Sequence, residues 1–195
     1  MPSRQINLRA SAGAVTAEFA MVVIVFLVIV CGVLELARVM YMFNTLQMVT
    51  QRAAALAANA DFSNAAAMNA VRQSAVFRNS PGMLAMGTPV TDAHVRIDYL
   101  SLGAAGGTAM APITTAALPA CPANNRVTCM RDPYDASCVR LVRVRICDPA
   151  QAGECRNVRY QALFSFVGMP LTLPRATAIA TAETLGAPPG QAPCP

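Results

Sequence analysis

The sequence contains no lysine and no tryptophan, and it has a single histidine, His94. All fifteen basic residues are arginines. Mechanisms that need a lysine, such as Schiff-base chemistry, Walker-type phosphate loops and Ser-Lys dyads, are therefore excluded. A single histidine also excludes a multi-histidine metal site, and we expect neither a metal ion nor another cofactor.

Charge is scarce as well, because only 13% of the 195 residues are charged whereas 55% are apolar. This composition excludes a highly charged disordered chain, and the length predicts one domain with appendages. The net charge of +5 comes from scattered arginines rather than from a basic cluster. The sequence therefore does not predict nucleic-acid binding.

One long apolar run dominates the N-terminal part of the chain. From Phe19 to Leu34 it contains no charged residue, and from Ala14 to Leu34 it has 21 residues with one charge, Glu18. As a helix the longer stretch measures about 31 Å, which matches the hydrocarbon thickness of a bilayer. The sequence predicts one transmembrane span, over 14–34, within a helix that continues to about residue 60.

The residues that flank the span predict its orientation. Arg4 and Arg9 precede it, and no acidic residue comes before Glu18. By the positive-inside rule the N-terminus lies in the cytoplasm and the C-terminal domain outside. A cleaved secretory signal is disfavoured, because the apolar stretch is long and is followed by Glu35 and Arg38 without an A-x-A site.

Six of the seven cysteines lie in the last 75 residues, and only Cys31 lies in the apolar run. An even number of cysteines in a compact region predicts three disulfides and an oxidising compartment, with free buried thiols as the alternative. The gaps between Cys121 and Cys155 hold seven or eight residues each, which disfavours a zinc site.

Predicted turns suggest how the cysteines pair. Cys147 and Cys155 flank a turn over 148–154, so a hairpin would place them opposite each other. Cys129–Cys138 is proposed second, across a turn over 131–135, and Cys121–Cys194 remains by elimination. Six cysteines allow 15 connectivities, so other pairings stay open.

The outer domain is predicted to be α+β with an antiparallel sheet. We expect a second helix over about 64–79, capped by Ser63 or Asn64, and a loop over 103–125. Alternation or β-branched content predicts strands over 93–100, 139–147, 156–167 and 176–184. The tail over 186–195 is rich in proline and glycine.

No catalytic constellation stands out in this domain. His94 and Asp98 fall on one polar strand face, but no G-x-S-x-G motif supplies a nucleophile, so we expect a solvated histidine and no enzyme activity. The predicted hairpin over 139–167 also gathers five arginines. They either keep a sheet edge soluble or form a basic surface for an acidic partner or lipid head groups. The five are Arg140, Arg143, Arg145, Arg156 and Arg159.

The segment Gly13-Ala14-Val15-Thr16-Ala17-Glu18-Phe19 resembles a class III, or prepilin-type, signal. The resemblance implies cleavage after Gly13 by a membrane-embedded prepilin peptidase, removal of Met1–Gly13, and a new N-terminus at Ala14. Ala14 and Glu18 are four residues apart and share a helix face. Glu18, of the same or a neighbouring subunit, would neutralise the new amine during assembly. The alternative places Glu18 in the headgroup zone, favoured by the helix dipole.

The segment from Gly13 to about residue 60 is similar to the N-terminal signature of the TadE-like minor pseudopilins, which belong to the tight-adherence (Tad/Flp) pilus system. This similarity covers about a quarter of the chain. The matching pieces are Gly13-Ala14-Val15, Glu18-Phe19, Glu35-Leu36-Ala37-Arg38 and Gln51-Arg52-Ala53-Ala54. In the last of these, members often carry Gly-Ala-Arg where this chain has Ala-Ala-Leu. An ion pair between Glu35 and Arg38 would be worth little at an exposed interface; the resemblance adds contact with a partner pilin.

Together these inferences predict a leader over 1–13, a helix over 14–60, an extracytoplasmic α+β domain over 61–185 and a tail over 186–195. The resemblance implies a structural component of a Tad/Flp-type pilus in the bacterial inner membrane, with a periplasmic domain, found at the platform or in the extracellular filament. Its partners would be the prepilin peptidase, other pilins or pseudopilins and the assembly platform. The alternative is a single-pass, membrane-anchored extracytoplasmic binding domain unrelated to pili.

Overall fold

A computed structural model of the chain describes residues 11–103, 109–151, 153–164 and 170–187, together with 190, 192 and 194, with side chains from residue 15 onward. The described helices and strands, in chain order, are α1 (Ser11–Ala57), α2 (Ala65–Ala75), β1 (Val95–Leu102), β2 (Met110–Pro112), α3 (Pro122–Arg131), β3 (Leu141–Ile146) and β4 (Thr177–Thr181). The chain divides into two compact units, one comprising residues 1–40 and 162–169 and the other 41–161 and 170–195. The predicted α+β class is confirmed.

The helix α1 is 47 residues long, and no glycine pair or proline interrupts it. Its two parts differ in burial. Over 15–34 nearly every side chain is exposed, whereas from Met42 onward the buried positions recur at three- and four-residue intervals. This is the spacing of one helix face packed against a core. The buried positions are Met42, Thr45, Leu46, Val49, Thr50, Ala53, Ala54 and Ala57.

The helix α2 is shorter than the predicted segment over 64–79. Asn64 caps it, because its Oδ1 accepts hydrogen bonds from the backbone N–H groups of Ala66 and Ala67 at 3.0 and 3.2 Å. These groups have no partner within the helix, so the cap stabilises its first turn. The helix ends before the positive-φ residue Phe77.

The four strands form one antiparallel sheet in the order β2-β1-β3-β4. Val95 pairs with Ile146 and Tyr99 with Val142 across β1 and β3. These side chains are buried, as the alternation of β1 predicts, whereas Arg96 and Asp98 lie on the opposite, partly exposed face. The sheet therefore has a core face and a polar face.

The structure corrects the sequence predictions for two segments of this domain. The described residues 156–164 of the segment predicted over 156–167 do not form a second hairpin strand, and 165–167 lie outside the described residues. Tyr160 donates its N–H to the Leu171 carbonyl instead, and Arg159 forms an isolated bridge with Thr172. The predicted loop over 103–125 contains β2 and the start of α3. Periodicity misses both because β2 is three residues long and α3 is polar.

The structure joins three cysteine pairs, Cys121–Cys194, Cys129–Cys138 and Cys147–Cys155, and leaves Cys31 free. The second and third close loops with sequence separations of 9 and 8, whereas the first has a separation of 73. Such cross-links stabilise a small domain mainly by restricting its unfolded state.

The segment after β4 is fixed to the end of α1. The carbonyl of Ala58 accepts hydrogen bonds from the N–H groups of Glu183 and Leu185 at 3.2 and 3.1 Å. Gly186 follows with a φ of +76°, and a Cβ there would lie 2.6 Å from the backbone N of Asp61. Only glycine fits this close approach without strain. The tail predicted over 186–195 thus begins with a defined turn.

Candidate functional site

The first part of α1 presents an apolar surface on all sides. Its most apolar 18-residue window has a mean hydropathy of 3.0 and is only 6% buried. In length and composition this helix is suited to crossing a membrane, and no other described helix is. A helix that is apolar all round needs an apolar environment, which a bilayer or neighbouring apolar helices supply. This is compatible with a single-pass membrane anchor.

Gly13 and Ala14 lie in the first turn of α1, and their side-chain surroundings fall outside the described residues, as do residues 1–10 of the leader predicted over 1–13. Glu18 is exposed one turn further on, and Phe19 beside it is 69% exposed. Ala14 and Glu18 are both in the helix, so they share one face as the spacing predicts. Among the described residues, none forms an ion pair with Glu18.

Glu35 lies directly after the uncharged stretch, and it is only 1% exposed. Its carboxylate accepts hydrogen bonds from the backbone N–H of Leu163 at 3.1 and 3.3 Å. Nη1 of Arg38 lies 3.7 Å from Oε1 of Glu35, and the side chain of Arg38 is also mostly buried. The spacing of Glu35 and Arg38 in the sequence predicts their contact. No sequence pattern predicts the contact with Leu163, which is 128 positions away.

Because both side chains are buried, the loss of either one is expected to cost more stability than it would in a surface ion pair. A surface ion pair is worth at most about 1 kcal/mol, whereas removing one partner of a buried pair costs about 3–5 kcal/mol. Glu35 therefore joins Leu163 to α1 at the helix residue where the apolar stretch ends, and both residues belong to the same compact unit.

On the polar face of the sheet, Asp98 lies among three arginines. Its carboxylate contacts Nη2 of Arg145 at 2.6 Å, Nη2 of Arg143 at 3.3 Å and Nε of Arg96 at 3.2 Å. The five arginines of the predicted hairpin are thus not one free basic cluster, because two of them pair with β1. The cross-strand register places them there, with Asp98 opposite Arg143.

The sequence predicted His94 on a strand. The structure instead places it in a 3₁₀ turn over Asp92–His94. Its Nδ1 accepts a hydrogen bond from the N–H of Thr91 at 3.0 Å. Burial lowers the pKa of His94, although the carboxylate of Asp148 opposes this effect. His94 is therefore a partly buried, structural residue rather than a solvated one, and it does not share Asp98 in a triad.

Two clefts lie beside β1, with volumes of about 460 and 540 Å³. Both include Arg72, Arg96 and Ile97 in their linings. Cys147 borders the first, but its sulfur is in a disulfide and is not available as a nucleophile. Within the described residues, no group of three His, Cys, Asp or Glu side chains is arranged to hold a metal ion.

Residues 13–55 match the family model described as TadE-like protein. The matched residues begin at Gly13 and lie entirely within α1. No curated protein and no solved structure matches the chain significantly. The family resemblance predicted from the sequence is therefore confirmed over residues 13–55, and this TadE-like segment relates the chain to components of the Tad pilus.

Proposed function

We propose that the chain is a minor pseudopilin, a structural component in the assembly of a Tad/Flp-type pilus. The observation that carries the proposal is the position of the TadE-like match. It starts at Gly13, the residue after which a prepilin peptidase would cut, and continues through the exposed apolar helix. A prepilin peptidase removes only the leader in such a pathway, so the apolar helix stays on the mature protein.

Processing would create an amine at Ala14, four residues from the carboxylate of Glu18. A carboxylate in an apolar environment is costly unless it is paired. The amine of the same or a neighbouring subunit supplies that pair, so the cost becomes a reason for helices to associate. Exposed apolar side chains such as Phe19 are then buried against other helices. Head-to-tail packing of this kind is heterologous and leaves the assembly open to extension.

The proposed topology places the N-terminus in the cytoplasm and the disulfide-bonded domain in the periplasm. Arg4 and Arg9 before the span support this orientation. Three disulfides independently support an oxidising compartment for the C-terminal domain. The partners of the protein would be the prepilin peptidase, other pilins and the assembly platform, either in the filament or only at its base.

The first experiment determines the N-terminal residue of the full chain purified from membranes of hosts with and without the prepilin peptidase. We expect Ala14 only where the peptidase is present. A retained Met1, or a start beyond Leu34, would overturn the pseudopilin proposal. It would favour an anchored or secreted binding domain unrelated to pili.

The second experiment tests the role of Glu18. We expect Glu18→Ala to be processed and inserted but to lose filament assembly or incorporation. Glu154→Ala, which removes another exposed acid far along the chain, serves as the matched control and should assemble normally. Normal assembly with Glu18→Ala would contradict the proposed pairing with the amine.

A further inference from the structure

The first charged residues after the apolar run, Glu35 and Arg38, are both covered in the structure. Glu35 is 1% exposed, and the side chain of Arg38 is 9% exposed. The next charged residue along α1 is Arg52. A charge interrupts an apolar surface only where it is exposed, so the apolar surface of α1 does not end at Glu35.

Exposed apolar side chains continue around and beyond this point. Leu36 and Met40 are both exposed on α1. Leu163, whose backbone contacts Glu35, is 65% exposed and belongs to the same compact unit. We call Leu36, Met40 and Leu163 the apolar rim. A single exposed leucine needs no explanation, but the apolar rim adjoins a helix that is itself exposed and apolar, and large apolar surfaces mark interaction sites.

The chain that supplies Leu163 carries no charge for some distance on either side. From Tyr160 to Pro174 the sequence contains no charged residue, and the nearest ones are Arg159 and Arg175. Of the part that belongs to the unit of Glu35, the structure describes residues 162–164. No charged group within this stretch therefore opposes contact with an apolar phase.

The contacts at Glu35 also remove the usual cost of bringing a loop close to lipid. An unpartnered backbone N–H and an unpaired carboxylate are both costly away from water. Here the Leu163 N–H donates to the Glu35 carboxylate at 3.1 and 3.3 Å, and Nη1 of Arg38 lies 3.7 Å from Oε1 of Glu35. These polar groups satisfy one another, while the side chain of Leu163 remains exposed.

The length of the helix indicates where the apolar rim would lie. If residues 14–34 cross the hydrocarbon, residues 35–40 extend about 9 Å further at 1.5 Å per residue. The headgroup region adds about 5–7 Å on each side of the hydrocarbon. Glu35 and the Leu163 that it holds thus fall at the level of the outer headgroups, where apolar side chains can reach the lipid chains.

We propose that Leu163 and the neighbouring apolar rim form a second membrane contact, in which residues 162–164 dock onto the outer headgroup layer beside α1. The partner is the lipid itself, because the rim continues the apolar surface of the span without an exposed charge. Glu35 is the positioning residue, since its carboxylate holds the Leu163 backbone at this level. The inference rests on the membrane span of the proposed function but not on processing or on a pilus.

The absence of tryptophan from the chain makes a direct test available, because any introduced tryptophan is the only one. The full chain carrying Leu163→Trp is reconstituted at low density in phosphatidylcholine vesicles. Brominated lipids quench a tryptophan that they touch. We expect strong quenching by lipids brominated near the headgroup and weaker quenching by lipids brominated near the chain ends. Leu36→Trp, on the helix side of the apolar rim, should behave in the same way.

Two further variants serve as controls. Phe26→Trp lies near the middle of the predicted span and should be quenched most by lipids brominated near the chain ends. Met130→Trp lies at an exposed position of the polar helix α3 and should not be quenched. These residues are exposed, as Leu163 is, so tryptophan can be placed at each without repacking a core.

Shallow quenching of Leu163→Trp and Leu36→Trp supports the proposal. Quenching of Phe26→Trp with none at Leu163→Trp overturns it and leaves the span intact. Loss of quenching at Phe26→Trp as well overturns both the span and the contact. A blue-shifted but unquenched Leu163→Trp overturns the proposal too, because protein rather than lipid then covers the site. Processing after Gly13 is measured separately, so failure of the pseudopilin role is distinguishable from each of these results.

The positioning role of Glu35 is tested in the Leu163→Trp background. Adding Glu35→Ala should reduce the shallow quenching, because the Leu163 N–H loses its acceptor, whereas Glu35→Gln keeps an acceptor oxygen and should retain most of it. Glu154→Ala, at an exposed acid, should leave the quenching unchanged. Equal quenching in the Glu35→Ala and Glu154→Ala variants would contradict the positioning role.

Discussion

Replacing Glu35 with alanine tests whether this buried carboxylate holds its unit together. In the wild-type chain the carboxylate accepts the Leu163 N–H at 3.1 Å and lies 3.7 Å from Nη1 of Arg38. Its side chain has no exposed surface, and that of Arg38 is 9% exposed. The variant removes the acceptor and the negative charge together.

The expected cost has two parts. Loss of the acceptor for a buried N–H costs about 1–3 kcal/mol, and removal of one member of a buried ion pair costs about 3–5 kcal/mol. The two parts overlap, because the same carboxylate supplies both. We expect Glu35→Ala to lower the free energy of unfolding of this unit by about 3–5 kcal/mol. Glu35→Gln keeps an acceptor oxygen and should cost about half as much.

Hydrogen exchange of the full chain in detergent micelles or nanodiscs measures the effect at the relevant group. If exchange occurs through opening of the contact, about 3 kcal/mol corresponds to a decrease of about 100-fold in the protection of the Leu163 amide. A lower denaturation temperature of the same sample gives an independent measure.

The chain offers a matched control in the pair between Glu154 and Arg156. Its N–O distance is also 3.7 Å, but the two side chains are 79% and 62% exposed. Glu154→Ala should change stability by less than about 1 kcal/mol. If Glu35→Ala and Glu154→Ala had equal, small effects, the argument from burial would be refuted.

Four further predictions concern the disulfide-bonded unit and are tested by equilibrium unfolding of the full chain. Asp98→Asn should destabilise it by about 2 kcal/mol, because three arginines lose their shared carboxylate; an effect no larger than that of Glu154→Ala would contradict this. Asn125→Ala should cost about 1–3 kcal/mol, since buried Asn125 accepts the Val139 N–H at 2.8 Å, and an unchanged midpoint would count against it. Gly186→Ala should cost more than about 1 kcal/mol because of the positive φ and the contact with Asp61, whereas alanine at exposed Gly153, where nothing lies within 4 Å, should not. Burial lowers the pKa of His94 in the folded state, so the unfolded chain binds more protons than the folded chain just below pH 6.5. The free energy of unfolding should therefore fall as the pH drops through that value. His94→Gln should lack this part of the pH dependence.

The sequence predicts best those features that depend on neighbouring residues or on a strong pattern. The apolar run predicts the membrane-compatible helix, and the Ser63-Asn64 pair predicts a cap for α2, which Asn64 supplies. The alternation of Val95, Ile97 and Tyr99 gives the two faces of β1. Cysteines on either side of short turns meet because a turn brings its two ends together.

Long-range pairing is where sequence reasoning fails. The segment over 156–167 has the composition of a strand, but the edge of β3 that it would need is occupied by β4. Its partner over 171–173 is specified by the return of the chain and not by a local pattern. The contact of Glu35 with Leu163 was missed for the same reason. A buried acid suggests that a donor exists, but it does not reveal which residue supplies it.

The connectivity of the disulfides has a consequence for the order in which the domain matures. Synthesis and export both deliver a chain from its N-terminus to its C-terminus. Cys129–Cys138 and Cys147–Cys155 can each close once nine or eight further residues have emerged. Cys121 has to remain a reactive thiol until Cys194, 73 positions further on, is delivered. This disulfide therefore closes only after the residues of the other two have emerged, and a product truncated before Cys194 would carry an unpaired thiol by which quality control can distinguish it.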